Sequence, residues 1–376
     1  MIAPSRRKVA IVSNDPKARP DGSHHGDLSS ITSARPKGRV VAITGACSFL
    51  GRNLVGVLEE RDDVDRVVLL DVASPPTAGK KSRSYRVDLT QPTVGARISE
   101  ILRAENATEL AHLAFLASPT TAEPWAHELE SVGTMHVLNA CRESPVERVV
   151  VSSQTLLYGP HASNPGFLTE LSALRGLHGG RGTLFGRAEC SFLADKIDAE
   201  REAQRFSEEC PSTSVAILRF APVLGPSVRT WATRWLSRRI VPTLMGFDPL
   251  VQFIHEMDAV SALVLSLDRS RWKARGAFNI VGQGVLPISM VVKLAGRAGL
   301  PIPGPLLRRG ADLLWMAGLN EAPAAFVEFL HHVCVADGSR AQRELGFMPA
   351  FSTKEAVLDF GGALRLREAR LLGPEL

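Results

Sequence analysis

The segment RVVAITGACSFLGRNL, residues 39–54, constrains the fold more than any other stretch of the chain. Six largely apolar, β-branched residues run into Gly45, Ser48 and Gly51, spaced three apart, and a helical pattern opens directly behind them. Gly45 permits a tight turn and Gly51 a close helix–strand approach, while the helix N-terminus offers unpaired N–H groups and the positive end of its dipole to a pyrophosphate. Ser48 keeps the middle position small without being glycine. Taken alone, the pattern also fits a plain strand–turn–helix connection. A second run, VDRVVLLDV (64–72), places Asp71 twenty residues after Gly51. A carboxylate there can accept hydrogen bonds from both ribose hydroxyls and would repel a 2′-phosphate, which favours NAD over NADP. A surface aspartate without that role is the alternative.

Three further apolar runs follow at 109–117, 146–153 and 213–221, with helix-like segments near 50–60, 124–143 and 187–208. Apolar runs separated by helices predict a parallel sheet covered on both faces. Beyond about residue 221 the rhythm breaks into Pro- and Gly-punctuated pieces and a largely helical end. The expected organisation is a basic, disordered tail over 1–38, a dinucleotide-binding domain over 39–221, and a smaller substrate subdomain over 222–376 that is partly interleaved with it.

Charge narrows the partners. Residues 1–38 carry seven basic and three acidic side chains, and so account for four of the five net positive charges. The remainder is nearly neutral and offers no basic face of the kind nucleic acid requires. Cys47, Cys141, Cys190, Cys210 and Cys334 are scattered and odd in number, which argues against a disulfide framework or a zinc site and suits a reducing compartment. No uncharged apolar run reaches the roughly 18 residues of a membrane span, and the tail lacks a secretory apolar core. A cytoplasmic protein with no membrane partner is therefore expected.

Further segments stand in a recognisable order: RVDLT (86–90), AHLAF (111–115), VVVSSQTLLYG (149–159), FLADKIDAE (192–200), LRFAPVLGP (218–226), QFIHEMDAV (252–260) and VADGSRAQRELGFMP (335–349). Together with the glycine loop, over residues 39–365, they resemble the extended short-chain dehydrogenase/reductases, the group of NAD-dependent epimerases and dehydratases. The resemblance implies an α/β fold: a Rossmann-type doubly wound parallel sheet with a smaller C-terminal α/β substrate subdomain. It implies NAD bound by Gly45, Ser48, Phe49, Leu50 and Gly51, with Asp71 on the ribose, Asp88 beside Leu89 at the adenine amino group, and Leu113, Ala114 and Phe115 lining the cofactor. It further implies a small-molecule substrate or effector and a homodimer formed through helices 124–143 and 187–208.

The same resemblance implies a Y-x-x-x-K pair on one helix face, the lysine holding the nicotinamide ribose and lowering the tyrosine pKa. Lys196 takes the lysine place, but Phe192 stands where the tyrosine should, and a phenyl ring has no proton to exchange. The chain has only two tyrosines, Tyr85 and Tyr158, and neither is followed four residues later by lysine. The helix also fits an ordinary amphipathic helix with a solvated Lys196–Glu200 pair. The catalytic Ser/Thr position holds Gln154, flanked by Ser153 and Thr155; either hydroxyl, or the Gln154 amide, could bond a substrate oxygen or simply cap the strand end. Pro222 and Val251 occupy the places of a sugar-contacting Asn and a diphosphate-gripping Arg, which speaks against a UDP-sugar substrate.

Other polar residues read as structural: Asp258 as a helix N-cap, His255 beside it, His112 packed in the core, Cys47 as a small buried residue, and no metal-ligand spacing anywhere. Two functions follow. One is nicotinamide hydride chemistry on a sugar-like or hydroxylated molecule at an atypical active site, with the acid drawn from Thr155, Ser153, a water held by Lys196, or the substrate. The other is a catalytically inactive NAD sensor or scaffold.

Overall fold

The computed structural model describes residues 38–177 and 191–371, so the expectations for residues 1–37 and 187–190 lie outside the described residues. The first half of the chain runs β1 (Arg39–Thr44), α1 (Phe49–Glu60), β2 (Val64–Asp71), β3 (Ser82–Arg86), α2 (Val94–Glu105) and β4 (Glu109–His112). It continues through α3 (Glu123–His127), a π-helical turn (Glu128–Val132), α4 (Gly133–Arg142), β5 (Arg148–Gln154), α5 (Ser191–Glu209) and β6 (Ser214–Phe220). The second half comprises β7 (Val223–Leu224), α6 (Trp231–Ser237), β8 (Ile240–Leu244), β9 (Leu250–Val251), β10 (Ile254–His255) and α7 (Glu256–Leu267). After these come β11 (Gly276–Ile280), β12 (Leu286–Pro287), α8 (Ile288–Leu294), β13 (Ala298–Ile302), α9 (Gly304–Met316) and α10 (Thr353–Leu371).

Seven strands form one parallel sheet in the order β11-β6-β5-β4-β1-β2-β3. Every residue of β1, β4 and β6 is buried, as expected for strands covered on both faces. Helices α1 and α7 pack on one face through Leu54, Val55, Ala259 and Leu263. On the other, α2, α4 and α5 bury Ile98, Leu102, Val137, Leu138 and Phe206. Each such fully buried aliphatic or aromatic side chain contributes roughly 1.5–3 kcal/mol, which makes the sheet and its two helical layers the rigid platform for anything at its edge.

The strand order reverses at β1, which has β2 on one side and β4 on the other. Thr44 lies level with Leu70 of β2 and His112 of β4, so three strand ends open together into the crevice where ligands of such sheets bind. The third apolar run ends as a strand at His112, five residues before the expected limit, because the chain there turns over the glycine loop. The boundary at residue 221 divides the chain but not the core, since β11 and α7 come from the later half and complete the main sheet and its cover. The smaller strands pair separately: β10 with β7, β12 with β9, and β13 with β8. A separate cluster of Leu224, Leu236, Phe253, Ile288, Val291 and Phe360 supports them. Among the described residues no helix is long and apolar enough to cross a membrane.

Candidate functional site

Gly45 adopts φ 68°, and a Cβ on it would lie 2.6 Å from the backbone of Ala114. At Gly51 a Cβ would stand 2.2 Å from the Gly45 carbonyl oxygen. Both positions therefore exclude a side chain, the first by turn geometry and close approach, the second by helix–loop contact. Ser48 explains why the middle position need not be glycine: it is the N-cap of α1, and its Oγ accepts from the Gly51 N–H at 3.0 Å. The N–H groups of Phe49 and Leu50, at the start of the helix, have no acceptor among the described residues. Two free donors at the positive end of the helix form an anion cradle.

Asp71, at the end of β2, faces this loop. Its Oδ2 accepts from the Cys47 N–H at 2.8 Å and its Oδ1 from the Val72 N–H at 2.7 Å, so each oxygen retains a lone pair for a hydroxyl. Cys47 is half-buried, not buried as expected, because the loop turns its Sγ outward onto the Ala73 carbonyl at 3.3 Å; burial and the nearby Asp71 push its pKa up. Asp88 accepts from the Thr90 N–H at 3.1 Å and hydroxyl at 2.8 Å. Burial works against its charge, but these bonds outweigh it and hold its pKa below the usual range. Leu89 and Leu113 are buried, Ala114 is half-buried against Gly45, and Phe115 is half-buried. His112 is the packed residue expected, held between the hydroxyls of Thr44 at 2.6 Å and Thr134 at 2.8 Å, with a pKa lowered to about 3 by burial.

Lys196 is only 3% exposed, and its Nζ donates to Glu130 Oε1 at 2.5 Å and to the Leu116 carbonyl at 3.0 Å. The Phe192 and Phe115 rings lie 4.5 and 5.3 Å from the same nitrogen, a cation–π enclosure. Two of the three ammonium donors are thus engaged inside the protein, and the solvated Lys196–Glu200 pair read as the alternative does not form. Glu130 sits in the π-helical turn, an irregularity that often accompanies a functional position. Its Oε1 also accepts from the Leu116 N–H at 2.6 Å, while its Oε2 is buried with no hydrogen-bond partner among the described residues. Burial dominates this pair: it raises the Glu130 pKa and lowers that of Lys196, each against the attraction of the other. On the same helix Asp195 accepts from or pairs with His127 Nδ1 at 2.7 Å, which raises the His127 pKa. No sequence signal marked Glu130, since a carboxylate on a helix reads as a solvated charge.

The two hydroxyls flanking Gln154 part ways. Ser153 donates to Glu200 at 2.5 Å. Glu200 is bound in turn by Arg219, which donates to the Tyr158 hydroxyl at 2.7 Å, and Tyr158 donates to Asn279 Oδ1 at 2.7 Å. Ser153 therefore belongs to a buried chain of hydrogen bonds between β5, α5, β6 and β11. The Thr155 carbonyl receives the Cys334 thiol at 3.7 Å, while no hydrogen bond engages the Thr155 hydroxyl among the described residues.

In the later half, the N-cap of α7 is His255, whose Nδ1 accepts from the Met257 N–H at 3.3 Å. This corrects the assignment of that role to Asp258, which lies inside the first turn and instead accepts from the Ala350 and Phe351 N–H groups at 2.8 and 3.0 Å. Pro222 and Val251 line a cavity of about 530 Å³. Glu328, His331 and His332 bring three donor atoms within 4.8 Å of one another, a grouping that residue spacing missed. Arg308 donates twice to Glu328 Oε1, at 3.1 and 2.7 Å, and its positive charge opposes a cation there.

Comparison with known proteins identifies the family. A protein of Mycobacterium tuberculosis is 30% identical over 336 residues, covering 86% of this chain and 83% of the relative, and one of Mycobacterium bovis matches equally. The structure of MoeE5 in complex with UDP-glucuronic acid and NAD is similar at a TM-score of 0.64 and 25% identity, over 88% of this chain and 100% of that one. UDP-glucose 4-epimerase of Thermotoga maritima, at 17% identity and a TM-score of 0.64 over 88% of this chain and 99% of that one, shares the fold. The family described as NAD dependent epimerase/dehydratase matches residues 41–281. The chain belongs to the NAD dependent epimerase/dehydratase family.

Proposed function

We propose that the protein binds NAD at the glycine loop and acts on a hydroxylated small molecule by nicotinamide hydride chemistry, with an active site that lacks the usual proton donor. The observation that carries the reading is the cradle itself: two glycines that exclude a Cβ, two free N–H groups at a helix N-terminus, and the Asp71 carboxylate at the adjoining strand end. The pyrophosphate would lie on the Phe49 and Leu50 N–H groups, and Asp71 would accept from the adenosine ribose. When bound, the nicotinamide supplies a hydride acceptor or donor.

This chain's own residues then set the limits. Phe192 cannot exchange a proton, and Ser153 already donates to Glu200. Thr155 is left as the hydroxyl free to orient a substrate oxygen, and Lys196 keeps one N–H beyond those given to Glu130 and Leu116. Absence of a positioned acid lowers rate by about 10²–10⁴-fold, so slow turnover is expected. The second reading, an NAD sensor without turnover, is favoured by one observation: the ammonium that should serve the cofactor ribose is enclosed by Glu130 and two phenyl rings.

Calorimetric titration with NAD+, NADH and NADP+ tests the cofactor reading, which fails if none binds. Nicotinamide absorbance during turnover then separates the two functions. Activity of the natural protein that collapses in Thr155→Ala supports the enzyme; activity that appears only in Phe192→Tyr supports the sensor.

A further inference from the structure

The cavity that holds Pro222 and Val251 in its wall is the right size for a small-molecule site, which commonly spans about 300–1,000 Å³. Thr155, Phe192 and Lys196 do not line it, but its wall reaches their immediate neighbours. Leu156, the residue after Thr155, lines it, as does Phe326, whose ring centroid lies 6.2 Å from that of Phe192. Cys334 also lines it and donates its thiol to the Thr155 carbonyl. The lining also includes Leu306 and Leu314 of α9, both exposed to solvent, so the cavity opens beside apolar side chains.

His332 lines the cavity as a neutral imidazole, its pKa lowered by burial and by the neighbouring His331; the amides and the carboxylate of the wall are engaged elsewhere. The Gln252 amide donates to the Gly282 carbonyl and accepts from the Ala336 N–H. Asn320 bonds the Ala322 carbonyl and Arg238, and Glu321 is paired with Arg234. Arg238 and Glu321 bring one charge of each sign, which leaves nothing to balance the two negative charges of a nucleoside diphosphate. Burying those charges without partners is prohibitive, whereas an apolar body loses nothing against these walls.

We infer that this cavity takes an uncharged, largely apolar molecule carrying one hydroxyl or keto oxygen, and excludes a nucleoside-diphosphate sugar. That the oxygen points toward Thr155 rests on the hydride reading above; the apolar preference rests on the cavity alone.

The test uses the full chain and the neutral fluorophore N-phenyl-1-naphthylamine. The probe should bind saturably, with Kd on the order of 10 µM or tighter, and be displaced by farnesol but not by UDP-glucose. Val251→Arg puts a charge in the wall, and Leu314→Arg puts one at the exposed mouth, where folding is not at stake. Each should weaken the probe at least about tenfold, with NAD binding unchanged. Displacement by UDP-glucose, or probe binding equal in both variants and the natural chain, would overturn the inference. Probe binding without NAD binding would support the cavity and refute the cofactor reading; NAD binding without probe binding would do the reverse.

Discussion

Glu130→Gln should be among the most damaging single substitutions in the molecule. The side chain is fully buried, 2.5 Å from the Lys196 ammonium, and the substitution keeps its shape while removing its charge. At an effective dielectric constant of about 20, unit charges at that separation attract by roughly 6–7 kcal/mol, much of which offsets the desolvation of both. Removing one partner leaves an uncompensated buried ion, and the expected loss is about 3–5 kcal/mol. Lys196→Met should cost less, because burial already raises the Glu130 pKa and the lone carboxyl can take up a proton. The double variant should recover most of the loss, giving a coupling energy of about 2 kcal/mol or more. Urea unfolding at neutral pH, followed by circular dichroism, measures all three. A Glu130→Gln loss below about 1 kcal/mol, or a double variant as unstable as the two singles added, would refute the account of a desolvated, mutually dependent pair.

Three shorter predictions follow from the same site. Gly51→Ala should destabilise by about 1–3 kcal/mol and abolish NAD binding, because its Cβ would stand 2.2 Å from the Gly45 oxygen; thermal melting and calorimetry check both. Asp71→Ala should weaken NAD roughly ten- to hundredfold, as expected for hydrogen bonds to a charged group, and leave NADP+ little changed; competition titration measures the ratio. His112 has its pKa lowered to about 3, so the stability it lends to the neutral form is present above about pH 6.5 and is lost as pH falls toward 3. Urea unfolding between about pH 7 and pH 4 should show a steeper decline in the natural chain than in His112→Gln, by at most about 3 kcal/mol.

The sheet was legible wherever a strand is buried on both faces, since such strands read as continuous apolar runs: RVVAIT and the core of VDRVVLLDV became β1 and β2. The edge strand β3, SRSYR, carries no such run because its residues are half-buried or exposed. Helix α2 escaped notice because VGARISEILRAE mixes charge into its apolar stripe. The glycine loop and Asp71 were readable because turn geometry demands those residue types at those positions. Glu130 was not, because its role depends on a π-helical turn and on Lys196, sixty-six residues away, and no local pattern records such a partnership. The fates of Ser153 and Thr155 likewise diverge because β5 ends at Gln154 and Thr155 opens a 3-10 turn, and because Glu200 reaches Ser153 from a distant segment.

The chain of hydrogen bonds from Ser153 through Glu200, Arg219 and Tyr158 to Asn279 constrains the candidate site. Apolar contacts tolerate a helix rolling about its axis by tens of degrees, but directional bonds from one of its carboxylates do not. Glu200 thereby fixes the azimuth of α5, and with it the one line along which residues 192 and 196 look out. A phenol off that line would face another way, so on the proposed reading a proton donor restored by a single substitution on α5 belongs at position 192.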